Sequence, residues 1–210
     1  PGRLELVDYV VRHAPSREAL VPDLRRAYER GERSTRIAMA LADALPAEEA
    51  GGFLEKHLRG RPDDAKALAR LGELWRGEDA RKMMRLTIDL IRARPGRAAS
   101  LAEAVPRTAA QAAEWAAALD ELPEELSRSP AASYLRGVLA LESERELEAG
   151  RQFDAAIEAS PEFMAPRLAH ARLLLDRAEE AGGAKARAAL AGRAMARLDG
   201  VDEGDRRVRF

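Results

Sequence analysis

Residues 131–161 read AASYLRGVLALESERELEAGRQFDAAIEASP, and this stretch decides the fold. Leu135, Val138 and Leu139 recur at the three-and-four spacing of a helix face, not at the period of two that marks a strand. Gly137 lets two helix backbones approach closely, and large residues a turn or two away fill the remaining gap. Pro161 ends the stretch, because proline clashes backward and lacks a donor. Working outward, Pro62, Pro95 and Pro130 precede it, and the four prolines are spaced 33, 35 and 31 residues apart. A regular interval of roughly 34 residues that holds two short helices marks a helix-pair repeat array.

The rest of the chain agrees. Ala, Leu, Arg and Glu dominate, aromatics are 4%, and no comparable segment alternates with period two. Met84, Ile88 and Ile91 form a helix stripe within 79–93, as do Leu168, Ala171 and Leu175 further on. Breakers cut the chain into helices of roughly 10 to 17 residues. Ser16, Ser34, Asp63 and Thr108 are predicted helix starts, and Thr108 with Gln111 fits a reciprocal capping box. The expected class is all-α. Each helix pair is too small to bury its own apolar face, so pairs must stack around a continuous core.

Aligned on the prolines, the chain resembles the tetratricopeptide repeat family, a helix-turn-helix unit. Gly137, Ala149, Phe153, Ala156 and Pro161 match the family's small, small, aromatic, small and proline positions. Leu68, Leu71, Gly72 and Trp75 match its first helix in the preceding intact unit, and Ala38, Leu41, Ala50 and Leu54 match in the one before, where His57 stands in place of a small residue. The resemblance implies a right-handed α-solenoid of antiparallel helix pairs over residues 1–200: a degenerate pair at 1–30, units at about 31–62, 63–95, 96–130, 131–161 and 162–198, and a charged tail at 201–210. Within 96–129 the register fails, with Pro106 inside a would-be helix.

The family's ligand-facing positions on the first helices carry over to Lys66, Glu73 and Arg76, to Tyr134, Val138, Leu141 and Glu142, and to Leu168, Arg172 and Asp176, with Thr35 and Met39 as counterparts in the earlier unit. Tyr134 beside Val138, Leu141 and Leu168 reads as an apolar anchor pocket. Lys66 and Arg70 match half of a carboxylate clamp known in some relatives, without the members expected in preceding repeats. A narrower resemblance, through Ala40-Leu41-Ala42-Asp43 and Phe53 to Pro62, is to the later repeats of the lipopolysaccharide assembly protein B family. That family ends in a four-cysteine metal domain, and this chain has Cys 0.

Absence of cysteine excludes disulfide scaffolds, thiol catalysis and Cys-ligated metals. His13, His57 and His170 lack metal-ligand spacing, no Gly-x-Ser-x-Gly elbow occurs, and Gly51-Gly52 and Gly182-Gly183 read as turns rather than phosphate loops. No catalytic residue, metal or cofactor is expected, and the chain reads as a non-enzymatic adaptor for a protein or peptide partner. Lys+Arg 35 against Asp+Glu 36 gives a net charge of -1 and no single-sign field. Arginine clusters at 25–36 and 81–97 keep anion or nucleic-acid binding open as an alternative, although interleaved acids and missing stacking aromatics argue against it. A regulatory segment of a larger enzyme or envelope-assembly protein is a further alternative. Solenoid ends left apolar would allow self-association. No apolar run reaches the ~20 residues of a membrane span. The start at Pro1, without Met or leader, suggests an excised domain: cytoplasmic is the expected location, periplasmic or membrane-anchored if a leader or anchor preceded it.

Overall fold

Good helix formers, regular breakers and short polar caps build an all-helical chain. The structure is a computed structural model and describes residues 18–30, 34–75, 80–103 and 108–199. The predicted elements at Leu4–His13, Ser16 and the tail 201–210 lie outside the described residues. After a 3-10 turn at Glu18–Leu20 come α1 (Val21–Glu29), α2 (Thr35–Ala44), α3 (Ala47–Gly60), α4 (Ala65–Leu74), α5 (Ala80–Ala93), α6 (Ala98–Glu103), α7 (Ala109–Asp120), α8 (Glu124–Ser127), α9 (Pro130–Glu142), α10 (Glu146–Ala159), α11 (Met164–Glu180) and α12 (Ala184–Leu198). Among the described residues there is no strand. Sequential helices pack as antiparallel neighbours, most extensively α9 on α10 and α11 on α12.

One buried apolar cluster runs from Ala42 to Leu173 and includes Leu54, Leu68, Met84, Trp115, Leu135 and Phe153. Smaller clusters extend it at both ends, with Leu20 and Leu24 against Leu41, and Ala171 and Leu174 against Ala194. Burial therefore passes from unit to unit, which is how an array of helix pairs too small to fold singly becomes stable. The tightest contact is at Gly137, where an added Cβ would lie 2.4 Å from the Phe153 ring, so α9 and α10 close to a distance that only glycine permits.

Several local expectations are met and others corrected. Ser34 caps α2 by accepting from the Ile37 amide at 3.3 Å, and Thr108 caps α7 by accepting from the Gln111 amide at 3.2 Å. The Gln111 side-chain oxygen accepts the Thr108 hydroxyl instead of reaching back to its amide, so the capping box is half made. Asp64, not Asp63, caps α4, accepting from the Ala67 amide at 3.1 Å. Pro130 opens α9 rather than ending a helix, because its missing donor is harmless in the first turn behind the Ser129 cap. Gly51-Gly52 is no turn. Both lie inside α3, and at Gly51 the Trp75 indole nitrogen occupies the space a Cβ would need, 2.7 Å away.

In the stretch 96–130, where register fails, two full helices give way to the short α6, α7 and the single-turn α8. Arg136 of α9 ties this irregular unit together. Its guanidinium donates to Asp120 at 2.9 Å and to the main-chain carbonyls of Ser127 and Leu119, which satisfies carbonyls left over where α7 and α8 end.

Candidate functional site

The first helices α2 and α4 lie side by side and enclose an open groove of roughly 510 Å3 lined by Met39, Asp43, Lys66, Ala69, Arg70 and Glu73. Three residues selected from the sequence, Lys66, Glu73 and Met39, thus come together. Arg70 is held from both sides, with its Nε 3.1 Å from Asp43 and its Nη1 2.8 Å from Glu73. The Glu73 hydrogen bond first, then the charge of Asp43, raise the guanidinium pKa despite partial burial. Arg70 therefore spends its fork inside the groove wall, which leaves the half-clamp that it forms with Lys66 without a free guanidinium. Lys66 is exposed at the groove's rim.

Other sequence-selected residues fall elsewhere. Arg76 lies outside the described residues. Thr35 faces the core side, where its hydroxyl donates to Asp64 at 2.7 Å. Tyr134 is the main correction: it is 3% exposed, with its ring 5.5 Å from Phe163 and 6.1 Å from Phe153, and is core rather than anchor. Burial, and then the nearby Glu103 carboxylate at the end of α6, hold its phenol above the usual tyrosine range. The rings that cover it stand on α10 and just before α11, the two helices that follow in the stack. Val138, Leu141 and Leu168 are half-buried. Glu142, Arg172 and Asp176 are exposed, the last two 3.9 Å apart.

Two described histidines, which stand alone in the sequence, gain partners from neighbouring helices. His57 is 1% exposed and sits between the Tyr28 hydroxyl, 2.8 Å from Nδ1, and Asp64, 2.9 Å from Nε2. Burial pushes the Asp64 carboxyl up, but hydrogen bonds to His57, Thr35 and the Ala67 amide outweigh it and hold the pKa below the ordinary aspartate value. This closed chain joins α1, α2, α3 and the start of α4, and accounts for a buried histidine at position 57. His170, 3% exposed, lies with Nδ1 3.1 Å from Asp154, which also faces Arg197 at 2.7 Å. Burial depresses the His170 pKa, the Asp154 charge opposes this, and Arg197 and Arg193 reinforce it. Sequence reading missed both sets because the partners are a repeat or half a repeat away: Tyr28 is 29 residues before His57, and Asp154 is 16 before His170.

Both tryptophans are core, and Lys82 sits 3.9 Å over the Trp75 ring. The basic clusters are partly neutralised. Arg25 pairs with Glu49, Arg26 with Asp23, Arg81 with Glu121 and Lys82 with Glu55. Among the described residues no group of three metal-ligating side chains forms, and no helix is long and apolar enough to cross a membrane.

No protein-family model matches the chain, and no curated protein matches it. Solved structures do. The chain is 15% identical to "MamA 41-end from Desulfovibrio magneticus RS-1", covering 89% of this chain and 97% of that one at a TM-score of 0.39. It is 16% identical to "MamA RS-1 ArsTM double mutant", with the same coverage and a TM-score of 0.38. Likeness at this level assigns no residue and no activity here, and the narrower resemblance to lipopolysaccharide assembly protein B gains no support from these comparisons.

Proposed function

We propose that this chain is a non-enzymatic adaptor that holds an extended peptide or partner helix in the groove between α2 and α4. The observation that carries the reading is the groove itself, where two first helices leave roughly 510 Å3 open beside Met39, Ala69 and Lys66. Met39 and Ala69 among four charged side chains, Asp43, Lys66, Arg70 and Glu73, give a mixed lining that suits an extended peptide carrying both apolar and charged side chains. The test is capture from cell lysate by wild type, by a Lys66→Glu/Met39→Gln groove variant and by an Arg151→Glu variant on an exposed second helix, with matched helicity. A protein retained by wild type and Arg151→Glu but lost from the groove variant supports the reading; equal retention by all three overturns it.

A further inference from the structure

The last described helix carries a second surface. Across the fifteen residues of α12, AKARAALAGRAMARL, there are four basic residues and no acid. Arg197 is committed to Asp154. Lys185, Arg187 and Arg193 are exposed, and no carboxylate among the described residues pairs with them. Among the described residues no element covers the face turned away from α11. Met195 is 65% exposed, Ala188 and Ala196 are exposed beside it, and a Cβ added at Gly192 would meet nothing within 4 Å. Every earlier second helix of the stack is followed by a further helix, whereas α12, the last described helix, packs mainly on α11 and reaches α10 through Arg197 and Asp154.

We propose that the outer face of α12 docks an amphipathic helix whose flanking positions are acidic. Small residues at Ala188 and Gly192, a turn apart, admit a close-lying helix, and Met195 supplies a deformable apolar contact on one side. Two unpaired cations beside that strip, Lys185 and Arg193, set the sign of the partner, because they would repel a basic helix and pair with Glu or Asp. An anionic bilayer fits less well, since a single exposed Met gives little to insert among lipids. Nucleic acid fits less well too, since no aromatic on α12 can stack on a base. This surface is separate from the groove, and its failure would leave the groove reading intact.

The probe is a fluorescein-labelled amphipathic peptide about 20 residues long, with Leu on one face and Glu on the other, compared by anisotropy with its Lys-for-Glu counterpart, oligothymidine and phosphatidylglycerol vesicles. The acidic helix binds and the basic one does not. Lys185→Glu/Arg193→Glu weakens binding about tenfold or more. Gly192→Leu, which favours helix locally but fills the strip, also abolishes binding with circular dichroism unchanged. Lys66→Glu leaves binding as in wild type. Equal binding of acidic and basic helices, wild-type binding by the α12 variants, loss in Lys66→Glu, or retention of oligothymidine or vesicles alone would each overturn the proposal.

Discussion

Replacing Gly137 by alanine tests whether α9 and α10 are as closely packed as the structure shows. The new methyl would sit 2.4, 2.5 and 3.0 Å from three atoms of the Phe153 ring. That ring is fully buried and is flanked by Tyr134 at 6.1 Å and His170 at 6.2 Å, so it has no free space to move into. Relief requires a shift of about 1 Å in a packed interior, and contacts this short against a fully buried ring put the overpacking cost at about 2–3 kcal/mol. Alanine returns up to about 1 kcal/mol through helix propensity. The net loss is therefore about 1–2 kcal/mol, or a melting midpoint lower by about 2–8 °C for a chain of this size. Urea titration followed at 222 nm reads it directly, and Phe153→Leu in the same chain should recover part of the loss, because the two sites share one contact. Gly192→Ala is the control: the same change in open space should be neutral or stabilising by up to about 1 kcal/mol. A Gly137→Ala protein as stable as wild type, or no coupling to Phe153, would refute the close approach on which the repeat register depends.

Acidification should destabilise the fold in two stages. The His170 pKa is depressed below its ordinary 6.5, so below that pH the unfolded chain takes up a proton before the folded one does. Stability is then full above 6.5 and falls as pH drops towards the folded value; thermal midpoints measured across this range should decline, and His170→Gln should flatten the decline. The Asp64 pKa is held below 3.8, so its contribution is present above that pH and is lost as pH falls through the lower folded value; Asp64→Asn should remove this second decline while costing stability at neutral pH. Arg136→Met should cost about 1–3 kcal/mol in urea titration, because it leaves the main-chain carbonyl of Ser127 without its donor and removes the Asp120 pair, whereas Arg128→Met, on an exposed Glu124 pair, should cost under about 0.5 kcal/mol.

What could be read from the sequence was what repeats. Gly137, Phe153 and Pro161 belong to a local pattern, and local patterns specify helices, turns and the close approach of one helix to its pair without reference to the rest of the chain. Lys66, Glu73 and Met39 were also legible, because positions on successive first helices stack on the same side once the register is right. Contacts that pass between units were not. Tyr28, His57 and Asp64 are ordinary residues until the stack places Tyr28 and Asp64 each within 3 Å of His57, and nothing in the stretch between Tyr28 and His57, which are 29 positions apart, announces that they meet. Gly51 misled for a related reason. Glycine pairs mark turns when only the local chain is considered, and the Trp75 ring that makes glycine necessary inside α3 comes from the following unit.

Tyr134 shows how packing between units removes a residue from a binding surface. Phe153 of α10 and Phe163 just before α11 flank its ring at 6.1 and 5.5 Å, and it is 3% exposed. α6 buries Ala98, Leu101 and Ala102 and packs against α4. Glu142, Arg172 and Asp176, towards the other ends of α9 and α11, remain exposed. Residues that a regular array would line up in one continuous channel are separated: Met39, Lys66 and Glu73 bound a groove, and Val138, Leu141 and Leu168 are left half-buried beyond the irregular unit. A peptide held at Lys66 would therefore meet α6 before it reached α11, so binding determinants should cluster on α2 and α4, and exchanging Arg172 or Asp176 should leave the affinity of such a peptide unchanged.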